Sequence, residues 1–227
     1  MRTRIFPLFV LLLCFQTVFA QKSFTAETDS MSIGNLLKTP VFIISILLMI
    51  CAGASELSMA QWASAFAESA LDLSKAMGDI AGPCLFAVTM GISRSLYGKY
   101  GDRLDLIKFM IGSGMLCLIC YLVASLSDIP MLGLAGCIIC GFSVGIMWPG
   151  TISICSGKMP SGGTAMFALL AMAGDLGGAI GPGIVGNISQ SAGDDIRKGV
   201  LAGCIFPLVL VILTFVISKN VNKNRQE

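Results

Sequence analysis

Two acidic residues stand inside long apolar stretches of this chain. Glu56 lies in an apolar run that starts at Pro40, and Asp175 lies in one that starts at Thr164. Ionisable groups are rare in segments of hydrocarbon length, and where they occur they mark solute or ion pathways. Both carboxylates are therefore candidates for contacting a polar solute, and each could also exchange a proton or another cation.

Polar and aromatic residues surround Glu56 along the same run. At 100° per residue, Ser55, Ser58, Gln61 and Trp62 fall within an arc of about 120° on one helix face. Glu56 itself falls off this stripe in a regular helix. A stripe of hydrogen-bonding groups beside an indole ring suits a hydroxyl-rich solute. The alternative is that Glu56 pairs with a neighbouring helix and Trp62 anchors the helix at the membrane surface.

Glycine and proline interrupt two further runs. Asp175 lies among many glycines and is followed by Pro182, and Trp148 is followed directly by Pro149 and Gly150. Interrupted helices of this kind line the sites of secondary transporters. We therefore add Trp148 and Asp175 to the predicted pathway. The alternatives are a tightly packed helix with Asp175 bonded to backbone, and a Trp148 that faces lipid.

The remaining reactive side chains do not predict an enzyme. Histidine is absent, which removes the usual general base and metal ligand, and no paired-acid motif occurs. Cys117-x-x-Cys120 and Cys137-x-x-Cys140 have the spacing of a zinc or redox site, but both pairs lie in apolar runs. We interpret these four cysteines as packing elements. No catalytic residue, cofactor, metal site or nucleic-acid surface is predicted.

The composition requires a membrane. Hydrophobic residues make up 55% of the chain and charged residues 12%, and the mean hydropathy is +0.84. A spanning helix needs about 20 apolar residues. We predict an all-α, polytopic transmembrane helical bundle with six full spans and a doubtful first one. The apolar runs are Ile5–Ala20, Pro40–Ala65, Asp79–Tyr97, Leu106–Leu126, Met131–Ile154, Thr164–Ile188 and Val200–Ser218.

Basic residues predict the orientation. If the first run spans, 10 of the 15 Lys and Arg residues fall on one side and 5 on the other, and the richer side is cytoplasmic. In a plasma (cell inner) membrane, the carboxy terminus then lies on the cytoplasmic side, and the turn at residues 127–130 lies on the outer side. Residues 1–20 also resemble a signal peptide that ends at Ala20. We favour a spanning segment, because the remaining loops then obey the charge rule.

One loop and two helices carry a family resemblance. Gly98, Asp102 and Arg103, with Arg94 upstream, resemble the Gly-x-x-x-Asp-Arg signature of major facilitator superfamily transporters; the usual downstream glycine is replaced by Leu104 or Asp105. The Gly/Pro pattern at residues 177–182 is similar to one found on pseudo-symmetric helices of that superfamily. Residues 53–62 resemble the seventh helix of its fucose-permease-like sugar branch.

The resemblance covers about residues 35–218 and matches the carboxy-terminal six-helix half of the family. It implies that residues 1–20 are a remnant of helix six, 21–39 the central cytoplasmic linker, 40–218 the bundle and 219–227 a cytoplasmic tail. One hypothesis is that Met1 is an internal methionine of a longer reading frame.

For function, the resemblance implies alternating access of two halves around a small polar solute. The gating loop would comprise Arg94, Gly98, Asp102 and Arg103, with Asp102 facing a helix of a missing amino-terminal half. A second copy of this chain could also take that place. The alternative is a truncated membrane protein or scaffold that transports nothing.

Overall fold

The part of the chain that the computed structural model describes, residues 31–223, is built from helices. Side chains are described there except at residues 69, 70, 102 and 220–223. Two short 3-10 turns, Gly101–Arg103 and Pro160–Gly162, accompany the α-helices, and the predicted all-α class is confirmed. The α-helices are α1 (Ile33–Leu36), α2 (Pro40–Leu71), α3 (Lys75–Tyr100), α4 (Leu106–Leu126), α5 (Pro130–Val144), α6 (Met147–Lys158), α7 (Gly163–Ser191), α8 (Ile196–Gly203) and α9 (Ile205–Lys223).

Six segments of this region are long and apolar enough to cross a membrane. They are α2, α3, α4, the pair α5–α6, α7 with its preceding 3-10 turn, and the pair α8–α9. Each of the six runs predicted between Pro40 and Ser218 falls within one of them. The helices extend past the predicted ends because polar residues such as Lys75 continue the helix after the apolar pattern stops. The predicted segment 1–20, residues 21–30 of the linker and residues 224–227 of the tail lie outside the described residues.

Antiparallel crossing gives the bundle two ends. We call one the Asp128 end, formed by the turns at residues 72–74, 127–129 and 192–195, and the other the Arg103 end, formed by residues 31–39, 101–105 and 159–162. Residues 31–39 of the predicted linker pack onto the Arg103 end. The Met31 N–H donates to the Ser161 carbonyl at 2.9 Å, and the Leu36 side chain is fully buried.

Proline breaks two of the six spans. A proline has no N–H, so the carbonyl four residues earlier loses its helical partner. Pro149 leaves the carbonyl of Gly145 without a donor from its own helix, and the helix is interrupted between α5 and α6 at that point. Pro207 does the same to Gly203 beside the junction of α8 and α9. The first break was predicted from the Pro–Gly pair at residues 149–150, and the second was not. The interruption predicted at Pro182 does not break its helix, because α7 continues from Gly163 to Ser191 through that proline.

Helix α2 is the centre of the bundle. It packs against α3, α5, α7 and α9, while α4 pairs with α5 and α7 pairs with α8. In its most apolar stretch, 56% of α2 is buried by other helices, whereas only 22% of α3 is. Functional groups on α2 are therefore held by neighbours on several sides, and α3 leaves most of its surface uncovered.

Glycines let α2 and α7 touch along their backbones. A β-carbon on Gly53 would overlap the carbonyl oxygen of Gly174, and one on Gly177 would overlap that of Ile50. In lipid the hydrophobic effect does not drive helices together, so their association depends on van der Waals packing. Small residues allow the helix backbones to approach closely and so strengthen that packing. We call this contact the glycine seam; its glycines are Gly53, Gly174, Gly177, Gly178 and Gly181.

The two Cys-x-x-Cys pairs lie between α4 and α5. All four side chains are at most 3% exposed, and the Cys117 and Cys140 sulfurs are 3.7 Å apart. The Cys137 thiol lies 3.8 Å from the Met59 carbonyl oxygen on α2. Among the described residues, no group of three or more His, Cys, Asp or Glu is arranged to hold a metal ion. The cysteines thus occupy the core between three helices, where small polarizable side chains pack well.

The glycine seam predicts a position-specific penalty for a single methyl group. We expect Gly177→Ala to destabilise the protein by about 1–3 kcal/mol, because its β-carbon meets the backbone of α2, which cannot move aside alone. Gly183→Ala is the matched control: it lies on the same helix, and open space surrounds its β-carbon position. Denaturant unfolding of both purified variants measures the difference. Equal stabilities would contradict the seam.

Candidate functional site

The stripe predicted on α2 divides between two environments. The Ser55 and Ser58 side chains are buried in the bundle. The Tyr121 hydroxyl donates to the Ser55 carbonyl at 2.7 Å, and Ser58 Oγ faces Gly181 across the glycine seam. Gln61, by contrast, is exposed on the surface of the bundle. The two serines therefore belong to the core, and Gln61 is the member of the stripe that a solute beside the bundle could contact.

Glu56 pairs with Arg94 of α3. The Glu56 Oε2 and Arg94 Nη2 atoms are 3.6 Å apart, with 14% of the glutamate side chain and 45% of the arginine side chain exposed. Opposite charges at membrane depth pair with one another because an isolated charge is costly there. The ion pair joins the middle of α2 to α3 and makes the two charges formally neutral together.

Arg94 also repairs the break between α5 and α6. Its Nε–H donates to the carbonyl of Gly145 at 3.3 Å. This is the carbonyl that Pro149 leaves without a helical donor. An unpaired backbone carbonyl costs several kcal/mol in hydrocarbon. The arginine thus supplies the missing donor, and the glutamate neutralises the arginine, so three spans meet in one polar network.

Unpaired polar atoms concentrate on two turns of α2. Of the six buried side-chain atoms in the described residues that lack a hydrogen-bond partner, four lie between Ser55 and Trp62. A buried polar atom without a partner is expensive, and several of them together indicate a place that a polar ligand or water would stabilise. The six atoms are Ser55 Oγ, Glu56 Oε2, Ser58 Oγ, Trp62 Nε1, Trp148 Nε1 and Ser189 Oγ.

Trp148 contacts Gly174, the residue before Asp175. The Trp148 ring packs against Gly174, within 2.7 Å of where a β-carbon would stand, and its indole N–H is unpaired. Asp175 follows on α7 and is exposed. No hydrogen bond or ion pair joins the Asp175 carboxylate to another described residue. An uncovered carboxylate at this depth requires water or another protein surface beside it.

The predicted gating loop is compact, and Arg94 lies apart from it. Gly98 belongs to the last turn of α3, and Gly101–Arg103 forms a 3-10 turn; the Asp102 side chain is outside the described part. Asp105 caps α4 by accepting from the Lys108 N–H at 3.3 Å. The backbone N–H and the ammonium of Lys108 hold the pKa of Asp105 below its usual range.

Comparison with known families decides the class of this bundle. A sequence model described as Major Facilitator Superfamily matches residues 5–182. The chain belongs to the major facilitator superfamily. No curated protein and no solved structure gives a significant match. Major facilitator proteins are multi-pass membrane transporters, so the predicted transporter class and membrane location are confirmed at that level.

Within this major facilitator chain, sequence reasoning missed the partner of Arg94. The arginine was grouped with the loop at Asp102 because the two are close in sequence, whereas its long side chain reaches towards Glu56 and the helix break. The signal was present in the spacing of Gly145 and Pro149, which indicates an unpaired carbonyl four residues before a proline. A donor for that carbonyl had to come from another span.

The network predicts that the effect of losing Arg94 depends on Pro149. We expect Arg94→Leu to destabilise the protein by about 1–3 kcal/mol, because it orphans both the Gly145 carbonyl and the Glu56 carboxylate. In a Pro149→Ala background the loss should shrink by about 1 kcal/mol, since an alanine at that position offers the Gly145 carbonyl an N–H. Unfolding of the two single variants and the double variant measures this coupling.

Pro207→Ala provides the control for this cycle. It restores an N–H at the other broken span, where no arginine substitutes for it, so it should leave the Arg94→Leu loss unchanged. Additive effects of Arg94→Leu and Pro149→Ala would show that Arg94 does not serve the break.

Proposed function

We propose that this chain is one half of a secondary transporter that moves a small polar solute, with a sugar as the first candidate. The two halves would work by alternating access, as in the fucose-permease-like branch that residues 53–62 resemble. The pathway predicted from the sequence comprises Glu56, Ser58, Gln61, Trp62, Trp148 and Asp175; we keep all of them except Ser58, which is buried against Gly181. Glu56 and Asp175 are the candidates for coupling to a proton or another cation.

One observation carries the proposal: the unpaired polar atoms on α2 next to an exposed amide. Trp62 Nε1 lacks a hydrogen-bond partner, and Glu56 Oε2 has only its ion pair with Arg94 at 3.6 Å. Gln61, next to Trp62 in the chain, is exposed. A hydroxyl-rich solute offers both donors and acceptors, so it suits an indole N–H and a side-chain amide on adjacent residues. An indole ring also offers a flat apolar surface for the C–H face of a sugar ring.

The surface of α3 supports a second half. Among the six spans, α3 has the lowest hydropathy, 1.3, and also the smallest buried share, 22%. A lipid-facing helix is expected to be the most apolar of a bundle, because its side chains contact hydrocarbon. The uncovered side chains of α3 include large apolar ones such as Ile80, Val88 and Ile92, but the low hydropathy of the helix as a whole favours contact with another protein segment. An amino-terminal half or a second copy would provide it.

Orientation and gating follow from the same proposal. The 10-to-5 distribution of basic residues favours a cytoplasmic carboxy terminus in the plasma membrane. The loop with Gly98, Asp102 and Arg103 would then close the inner side against the second half. Reporter fusions after residue 220 and within residues 127–130 should lie on opposite sides of the membrane; one common side would contradict the orientation.

Uptake into proteoliposomes tests the pathway. We expect the chain, with its partner half or as a dimer, to take up a radiolabelled neutral hexose, and Trp62→Phe to lower uptake about tenfold by removing one hydrogen-bond donor. Asp102→Asn should also lower uptake, but without lowering the melting temperature. Asn187→Ala is the control, because Asn187 is exposed and bonds only its own helix. No saturable uptake of any hexose in any pairing would favour the non-transporting alternative.

Oxidative crosslinking at Cys84 tests which protein segment covers α3. Cys84 is the one exposed cysteine among the described residues and lies on α3. If a second copy packs there, oxidation of membranes with copper phenanthroline should give a dimer linked through Cys84, and Cys84→Ser should abolish it. A monomer after oxidation, at a protein density where other membrane dimers crosslink, would favour a different amino-terminal half.

A further inference from the structure

A pocket opens at the Asp128 end of the bundle, beyond the α2 pathway. Its volume is about 400 Å³, within the range of small-molecule sites. Phe66 from α2, Ala124 from α4 and Gly133 from α5 form its apolar floor, one turn past Trp62. The turn at residues 127–129 and the turn that leads into α8 form its rim.

An arginine clasp holds the two rim turns together. Arg197 at the start of α8 pairs with Asp128 at 2.5 Å and lies 3.7 Å from Asp195. Asp195 also pairs with Lys198 at 3.8 Å and accepts from the Arg197 N–H as the cap of α8. The charges of Asp128 and Asp195 are therefore engaged by basic groups of this chain, and Arg197 has no charge left for an anionic ligand.

Asp194 is the remaining charged residue of the rim. It lines the pocket and is exposed, and no hydrogen bond or ion pair joins its carboxylate to another described residue. The rim has three aspartates and Arg197, and with Lys198 paired to Asp195 its formal charge is −1. An apolar floor below an unpaired carboxylate is complementary to a ligand with an apolar body and one positive charge.

We propose that this pocket binds a small organic monocation with an apolar body, and that Asp194 is its counter-ion. A volume of about 400 Å³ accommodates an alkyl- or arylammonium. Phe66 adds an aromatic side chain to the floor of the pocket, and aromatic rings attract ammonium groups. This inference is independent of the proposed transport activity, because it concerns binding at one end of the bundle and needs no second half.

Binding of choline to the purified chain in neutral maltoside micelles tests the charge requirement. Choline and its uncharged isostere 3,3-dimethylbutan-1-ol have nearly the same shape, so only the charge distinguishes them. We expect saturable choline binding by isothermal titration calorimetry, and about two- to fivefold weaker binding of the isostere, the range expected for an exposed ion pair. Equal affinities, or no saturable choline binding, would overturn the proposal.

Two aspartate variants test the counter-ion. Asp194→Asn should weaken choline binding about fivefold, and Asp194→Glu should restore most of it. Asp72→Asn is the matched control. Asp72 is also exposed, and its backbone is in the left-handed region like that of Asp194, with φ of 51° against 60°. It does not line the pocket. Asparagine tolerates that conformation, so neither change strains the backbone. Equal losses in both asparagine variants would overturn the role of Asp194.

The monocation could be a free solute or a lipid headgroup, and the micelles distinguish the two. Phosphatidylcholine added to the micelles should compete with choline if the pocket accepts the headgroup. If phosphatidylcholine competes with choline, and Asp194→Asn weakens that competition, the lipid headgroup is identified as the occupant. Competition only by free choline would identify a soluble cation.

Discussion

The contact of two helix backbones at the glycine seam constrains the rest of this bundle. Since Gly53 and Gly177 leave no room for a side chain between α2 and α7, Ser58 is pressed against the facing helix at Gly181. Its hydroxyl has no partner there. Close packing and polar satisfaction are thus in conflict along α2. The unpaired hydroxyl of Ser58 thus arises from the same contact that stabilises the bundle.

Glycine contacts recur wherever α3 meets a neighbour. A β-carbon on Gly82 would overlap the carbonyl of Ala63 on α2, and one on Gly141 of α5 would overlap the carbonyl of Phe86 on α3. Lipid offers helices no hydrophobic gain on association, so backbone proximity must provide the attraction. Between these contacts, the helix breaks at prolines leave individual carbonyls without a helical donor. The Arg94 side chain supplies a donor to one of them.

The sequence predicted the number and course of the six spans because hydrocarbon thickness imposes its length on every one of them. It also selected Glu56, since a carboxylate in an apolar run is rare enough to be informative. A helical wheel, however, cannot tell which face a bundle will cover. Ser55, Ser58 and Gln61 therefore looked like one stripe, although the first two are buried and the third is exposed. Contacts between distant spans, such as Arg94 with the Gly145 carbonyl, depend on helix depth and rotation, which composition does not contain.

The Glu56–Arg94 pair has a consequence for how the chain enters the bilayer during its synthesis. Arg94 lies six residues before the last residue of α3. An arginine raises the free energy of insertion at the translocon by about 2.5–3.5 kcal/mol at a helix centre and by less towards a helix end, and α3 is the least apolar of the six spans. The ribosome makes Glu56 first, then Arg94, and Gly145 last. When α3 leaves the translocon, the glutamate of α2 is already available as its counter-charge, whereas the carbonyl at the α5–α6 break does not yet exist. The order of these three residues along the chain thus lets the carboxylate accompany the guanidinium into lipid before the finished bundle can hold it.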